Sequence, residues 1–363
     1  MIIQVRRIPA FAVLAALVLA TIAAAQSPAT ESRGSAAAPG PWKVAVLDET
    51  WRDDARDRAV PVRLFIPNEA VAPAESRPAS RLPVIIVSPG LGGSRATYGY
   101  LASHLATHGY LVVAVTHAGS DTRDFAGRIA RRMRDGLTGE GGAASRGGNV
   151  LLDSVNDADN LRDRPRDVSF VLDRVATHPV LGARADLERV GVAGHSFGAH
   201  TAMCLGGMTI DLPEAKGHSF RDPRVKAVLP MSPEGPGAMG IRKGAWAGFA
   251  VPVLFLTGTF DYGTSGASAA WRRSGFEGVH GKDDYLVTIN GAGHMTFAIP
   301  GRGKGGRTAA DPEGLIDSLA VSFFDAYVRD DAAARTWLKT FFGEKHADCV
   351  AEFKPASATP ESR

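Results

Sequence analysis

Four short stretches of this chain carry the residue types that acyl-transfer chemistry needs. The first is "VGVAGHSFGAHTAM", residues 190–203, an apolar run that stops at Gly194-His195-Ser196-Phe197-Gly198 and continues into small, helix-tolerant residues. A serine between two glycines where a strand becomes a helix is the pattern of a nucleophile elbow. Such a turn lifts the serine Oγ above the sheet edge and aims the next backbone N–H, that of Phe197, at a developing oxyanion. A serine hydroxyl is a poor nucleophile at neutral pH, so it needs a histidine base held by a carboxylate.

The partners must follow in the order serine, acid, histidine. His294 in "NGAGHMTF" directly follows a strand pattern, sits in a Gly-flanked loop and is the candidate base. Asp261 ends "VPVLFLTGTFD" and is the candidate acid, because ligand groups gather at the C-terminal ends of strands in open α/β sheets. Glu234 in "PMSPEG" is the alternative acid. His195 is too close to Ser196 along the chain to turn back as its base and is read as a bystander. His200, one helical turn on, is read as packing or capping. In "SPGLGGS", Pro89 has no N–H and Gly90 permits a sharp turn, so Leu91 N–H is the expected second oxyanion donor. This chemistry requires no metal and no organic cofactor.

The elements that must hold these residues alternate along the chain. "WKVAVLDE" and "AVPVRLFIP" read as strands joined by the charged turn "RDDARDR". "LPVIIVSP" and "YLVVAVT" read as strands buried on both faces. Between them, "TYGYLASHLATHGY" carries apolar residues at helical spacing, with Gly109 at its end. "RPRDVSFVLDRVATHP" puts Val168, Val171, Leu172 and Val175 on one helical face, with Pro165 near its first turn. Three further strands follow in "RVKAVLPMSP", "VPVLFLTGTFD" and "DYLVTINGAGH", then two closing helices. This alternation implies an α/β fold with a mostly parallel central sheet flanked by helices.

Residues 119–164 interrupt the pattern. They hold no strand, and "RDFAGRIARRMRDGL" spaces Phe125, Ile129, Met133 and Leu137 four apart on an otherwise arginine-rich helix. A stretch this long inside one domain is either functional or a solvated excursion. The expectation is a lid whose apolar stripe covers an acyl group and whose arginines meet an acidic substrate or an anionic lipid surface.

Arg6 and Arg7 precede an apolar run from Ile8 to Ala24, and Ala23-Ala24-Ala25 gives an A-x-A pattern. Residues 1–25 therefore read as a secretory signal peptide, making the protein periplasmic or extracellular without stable membrane insertion after cleavage. The arginine pair leaves general secretory and twin-arginine export both open. Cleavage removes two arginines and no acid, lowering the formal net charge from +3 to +1, which gives no case for a nucleic-acid partner. Residues 26–41 read as a flexible N-terminal segment, 42–345 as one domain containing the 119–164 insertion, and 346–363 as a C-terminal tail. Cys204 and Cys349 leave a disulfide open in an exported chain. Oligomeric state is not legible.

The combination of "VSPGLGGSRATYGYLASHLATHGYLVVAVTHAGS", "GHSFGAH", "TGTFD" and "GAGHMTF" resembles the dienelactone-hydrolase-like, platelet-activating-factor-acetylhydrolase-like group of α/β-hydrolases. The S-P-G loop and the "LATHGY" helix end also resemble bacterial cutinases and polyester hydrolases. The resemblance implies an α/β-hydrolase fold and a serine carboxylic-ester hydrolase. Ser196 would attack the carbonyl, His294 would shuttle the proton, Asp261 would orient His294, and Leu91 and Phe197 would form the oxyanion hole. True dienelactone hydrolases use a cysteine nucleophile, where this chain has Ser196. The plasma acetylhydrolase places its acid one strand earlier, where "AVLPMSP" here has no aspartate. The expected partner is a small-molecule or lipid-like ester. The alternatives are another serine hydrolase (phospholipid acyl hydrolase, polyester hydrolase, thioesterase or amidase) or a non-catalytic binding protein of the same fold.

Overall fold

The computed structural model describes residues 36–68, 81–138, 149–263, 266–280, 282–299 and 311–356. Residues 1–25, read above as a signal peptide, most of the 26–41 segment and the residues after 356 lie outside them.

The charged turn "RDDARDR" folds β1 (Lys43–Asp53) back on β2 (Arg58–Asn68) as an antiparallel pair, Lys43 facing Asn68 and Asp53 facing Arg58. Asp53 caps the intervening 3-10 turn, accepting from Arg56 N–H, and Asp57 takes the left-handed conformation that reverses the chain. The apolar runs become β3 (Leu82–Ser88) and β4 (Leu111–Val115), buried along their whole length, with α1 (Gly99–Thr107) between them. Helix α2 (Thr122–Thr138) and short α3 (Val150–Val155) belong to the insertion, and α4 (Ala158–Thr177) follows.

Next come β5 (Ala185–His195), α5 (Phe197–Gly206), the small hairpin of β6 (Thr209–Ile210) and β7 (His218–Ser219), and β8 (Val225–Met231). β9 (Val253–Phe260), α6 (Ser274–Gly278), β10 (Asp284–Gly293), α7 (Pro312–Tyr327), α8 (Ala332–Gly343) and β11 (Cys349–Lys354) complete the order.

Nine strands form one sheet in the order β1-β2-β4-β3-β5-β8-β9-β10-β11. β4, β3, β5, β8, β9 and β10 run parallel, and antiparallel strands close both edges. Separate apolar clusters fill the two faces. Val84, Ile86, Val190 and Val192 pack on one side with α4 and α5, and Ile85, Val87, Ala193 and Leu254 on the other with α1 and α7. Alternate residues of one strand entering opposite layers is the strand period of two at work. This is the α/β-hydrolase fold.

Two details differ from the sequence reading. Helix α4 starts at Ala158, capped by Asp157, so Pro165 lies in its interior rather than its first turn. A well-capped N-terminus upstream outweighs the proline's local signal. The segment after residue 345 is not simply a tail, because β11 pairs with β10 from Asp284↔Lys354 to Ile289↔Cys349 and covers that sheet edge. Cys204 and Cys349 are both buried, but in the two different core clusters, and no disulfide joins them among the described residues. Among the described residues, no helix is long and apolar enough to cross a membrane.

Candidate active site

Strand β5 ends at His195 and α5 begins at Phe197, so Ser196 alone makes the turn. Its backbone is at φ 54°, ψ −118°, a conformation that a non-glycine residue adopts only when its surroundings impose it. The imposition is visible. Ser196 N–H donates to Met231 O at 2.9 Å, and Ser196 O accepts from His200 N–H at 3.1 Å. A Cβ on Gly194 would run into the Gly198 carbonyl, and one on Gly198 into the Ser88 carbonyl. The two glycines thus let strand, helix and neighbouring loop approach closely enough to make the elbow.

Three N–H groups of the loop after β3 are engaged within the protein. Gly90 N–H donates to Tyr98 Oη at 3.4 Å, Gly92 N–H to Ser120 O at 2.9 Å, and Gly93 N–H to Gly90 O at 3.1 Å. Leu91 N–H and Phe197 N–H have no such partner among the described residues. Leu91 and Ser196 line the same cavity.

The structure brings His294 and Asp261 together at the ends of β10 and β9. His294 Nδ1 lies 3.2 Å from Asp261 Oδ1, and His294 shares the cavity with Ser196. Asp261 is fully buried. Burial works to raise its carboxyl, but the hydrogen bond from His294, the Arg272 charge and the Ser232 hydroxyl outweigh that and hold it below the usual carboxylate range. Thr257 Oγ1 donates to its second oxygen at 3.0 Å. The alternative acid, Glu234, lines the same cavity but pairs with Arg272, its Oε2 3.0 Å from Arg272 Nη1.

His195 is more than a bystander. Its Nε2 donates to His294 O at 2.8 Å, so its Nδ1 is the acceptor for Tyr98 O–H at 2.7 Å. Burial, with the facing His294, depresses it to about 3 and keeps it neutral. His200 packs as expected, its Nε2 donating to Met239 O at 2.9 Å inside the core.

Sequence reasoning missed Ser232 and Arg272. Ser232 stands at the end of β8 with φ 51°, its Oγ 2.6 Å from His294 Nδ1 and 2.8 Å from Asp261 Oδ1. Arg272, on a 3-10 turn spanning Ala269–Arg273, is fully buried with Nε 2.8 Å from Asp261 Oδ1. Neither carries a motif, and only the fold brings them to His294.

A second Ser-His-Asp array lies inside the same molecule. Ser88 Oγ is 2.9 Å from His117 Nε2, whose Nδ1 is 2.9 Å from Asp167 Oδ2. All three are buried and burial drops His117 to about 4, so this array has no access to a substrate. It is a scaffold network. Arg58 pairs with Asp167, and Arg164 reaches Ser88 Oγ, Pro89 O, Ser120 Oγ and Thr201 Oγ.

The cavity at Ser196 holds about 470 Å³. Its apolar wall comes from Leu151, Leu152 and Val155 of α3, with Met239 and Met295. None of Phe125, Ile129 and Met133 lines it. Phe125 instead packs beside Gly92, and Met133 is 67% exposed. The side chain of Leu137 lies outside the described residues. Arg123, Arg128, Arg131 and Arg132 of α2 line a different groove of about 690 Å³, which contains neither Ser196 nor His294.

The fold is that of the α/β-hydrolases. Residues 66–130 match the family model of platelet-activating factor acetylhydrolase, isoform II. The matched segment runs from the end of β2 through the Pro89–Gly93 loop and β4 into α2, which supports the resemblance drawn from the motifs. Ser196, Asp261 and His294 lie outside it.

Proposed function

We propose that this protein is a serine hydrolase of carboxylic esters that works through Ser196, His294 and Asp261. One observation carries the reading: Ser196 on its strained turn and His294 border one cavity, with Asp261 buried behind the His294 ring. Ser232 and Asp261 engage Nδ1, so Nε2 is the ring nitrogen left to take the Ser196 proton. Serine Oγ attacks the ester carbonyl, and the oxyanion forms between Leu91 and Phe197 N–H. His294 then protonates the departing alcohol. Water, deprotonated by the same nitrogen, cleaves the acyl-enzyme.

The apolar wall of α3 supports a substrate whose acyl or alcohol part is apolar and of modest size, and it gives the insertion a covering role. The signal-like residues 1–25 support export. Ser196→Ala should abolish hydrolysis of short p-nitrophenyl esters and labelling by a fluorophosphonate probe, with an unchanged circular dichroism spectrum. Near-normal turnover in that variant would sink the reading. A panel of acyl chain lengths, thioesters and anilides then separates esterase from the other serine hydrolases.

A further inference from the structure

The groups behind His294 carry three formal charges where an orienting carboxylate alone would carry one. Arg272 Nε lies 2.8 Å from Asp261 Oδ1, Nη1 lies 3.0 Å from Glu234 Oε2, and Nη2 lies 3.1 Å from His294 Nδ1. Its N–H groups also donate to the carbonyls of Asp261, Ser232, Pro233 and Tyr262, so the guanidinium is fixed between the β8 and β9 loops.

That placement poses an electrostatic problem. A base must stabilise the imidazolium formed as it takes a proton, and a carboxylate normally does this. A guanidinium touching both the acid and the base cancels that carboxylate and repels the imidazolium directly. Burial strengthens the effect, because little water screens the charges. Glu234 supplies the missing negative charge. Two carboxylates and one guanidinium leave the cluster at −1 while His294 is neutral, and at zero once it is protonated. Among the described residues, the other groups in contact with His294 and Asp261 carry no charge: the His195 ring, 4.7 Å away between centroids, and the Ser232 and Thr257 hydroxyls.

We propose that Glu234 and Arg272 form a charge-balancing pair that sets how readily His294 takes up a proton. This rests on the reading of Ser196 and His294 as nucleophile and base. Both are positioning residues, since they act through Asp261 and His294.

The test is the pH–rate profile of kcat/KM on a p-nitrophenyl ester for Glu234→Gln, Arg272→Met and the double variant, on the full chain. Removing the negative charge should move the acidic limb to lower pH, by about half a unit to one unit. Removing the positive charge should move it to higher pH, and the double variant should return it close to the parent position. A purely structural role lowers the rate without opposite shifts or their cancellation. An unmoved or upward limb in a folded Glu234→Gln variant overturns the pairing. Because that substitution is nearly isosteric, it decides the matter alone if Arg272→Met does not fold. Activity persisting in Ser196→Ala brings down the catalytic reading and the pairing together. An inactive Ser196→Ala with unmoved limbs brings down the pairing alone.

Discussion

Ser232 Oγ lies closer to His294 Nδ1, at 2.6 Å, than does the Asp261 carboxylate, at 3.2 Å. The hydroxyl also donates to Asp261 Oδ1 at 2.8 Å, so it accepts from His294 and passes the interaction on to the acid. Its left-handed backbone, φ 51°, is a strain tolerated where the side chain must be aimed. Ser232→Ala should therefore lower kcat by about tenfold, the worth of one buried hydrogen bond, with little change in KM. Steady-state kinetics beside Asp261→Asn, whose loss should be far larger, checks this. A kcat equal to the parent's would reduce Ser232 to a packing residue.

A second relay joins the Pro89–Gly93 loop to the loop of His294. Gly90 N–H donates to Tyr98 Oη, Tyr98 O–H to His195 Nδ1, and His195 Nε2–H to His294 O. Each direction follows from the last, because a carbonyl can only accept. Tyr98→Phe removes two links at once while keeping the ring's place in the core. The expected loss is about tenfold in kcat, since the loop carrying Leu91 N–H and the loop carrying His294 lose their common brace. Unchanged kcat with a lowered melting temperature would mean that the relay only stabilises the fold.

These relationships mark the limit of what the chain discloses as text. Ser196, Asp261 and His294 were legible because strand-end chemistry leaves local signatures: small flanks, a terminal acid, a Gly-flanked histidine. Leu91 followed from a proline without an N–H next to a glycine. The buried strands were legible from continuous apolar runs such as "LPVIIVS". Ser232, Arg272, Arg164 and the Ser88–His117–Asp167 array were not, because each depends on residues tens of positions apart meeting inside the fold. Helix α3 escaped for another reason. Its six residues are too few to show a helical period, so the stripe on α2 drew the lid assignment, yet α3 lines the cavity.

Arg164 holds both sides of the expected oxyanion hole. Its guanidinium donates to Pro89 O, Ser120 Oγ and Thr201 Oγ and stacks 4.2 Å from the centre of the Phe197 ring. Burial lowers it to about 9, still protonated at neutral pH. Arg164→Met should leave several buried acceptors unsatisfied, at about 1–3 kcal/mol for each one stranded. The melting temperature should fall by several degrees. Affinity for a tetrahedral mimic such as a trifluoromethyl ketone should fall further than KM rises, because the mimic alone uses the oxyanion donors. Equal changes in both would assign Arg164 to stability only.

Asp317, on α7, gives a stability prediction independent of catalysis. Burial, reinforced by Glu313 and Asp311, raises its carboxyl to about 8, and its Oδ1 has no hydrogen-bond partner among the described residues. Its other oxygen lies 3.5 Å from His104 Nδ1. His104 Nε2 donates to Ala36 O, so Nδ1 is free to face a protonated carboxyl. The folded state thus binds this proton more tightly than the unfolded chain, where the group releases it near 3.8. The linked stability is fully present below the unfolded value and is lost as pH rises from about 4 to about 8. Asp317→Asn keeps the neutral shape and removes the ionisation. Its melting temperature should match the parent's near pH 4 and exceed it by a margin that grows up to about pH 8. Thermal unfolding across that range measures the margin. A margin independent of pH would mean that Asp317 holds its proton equally in the folded and unfolded chain, and a margin that turns negative above about pH 4 would mean that it is ionised and paired with a protonated His104.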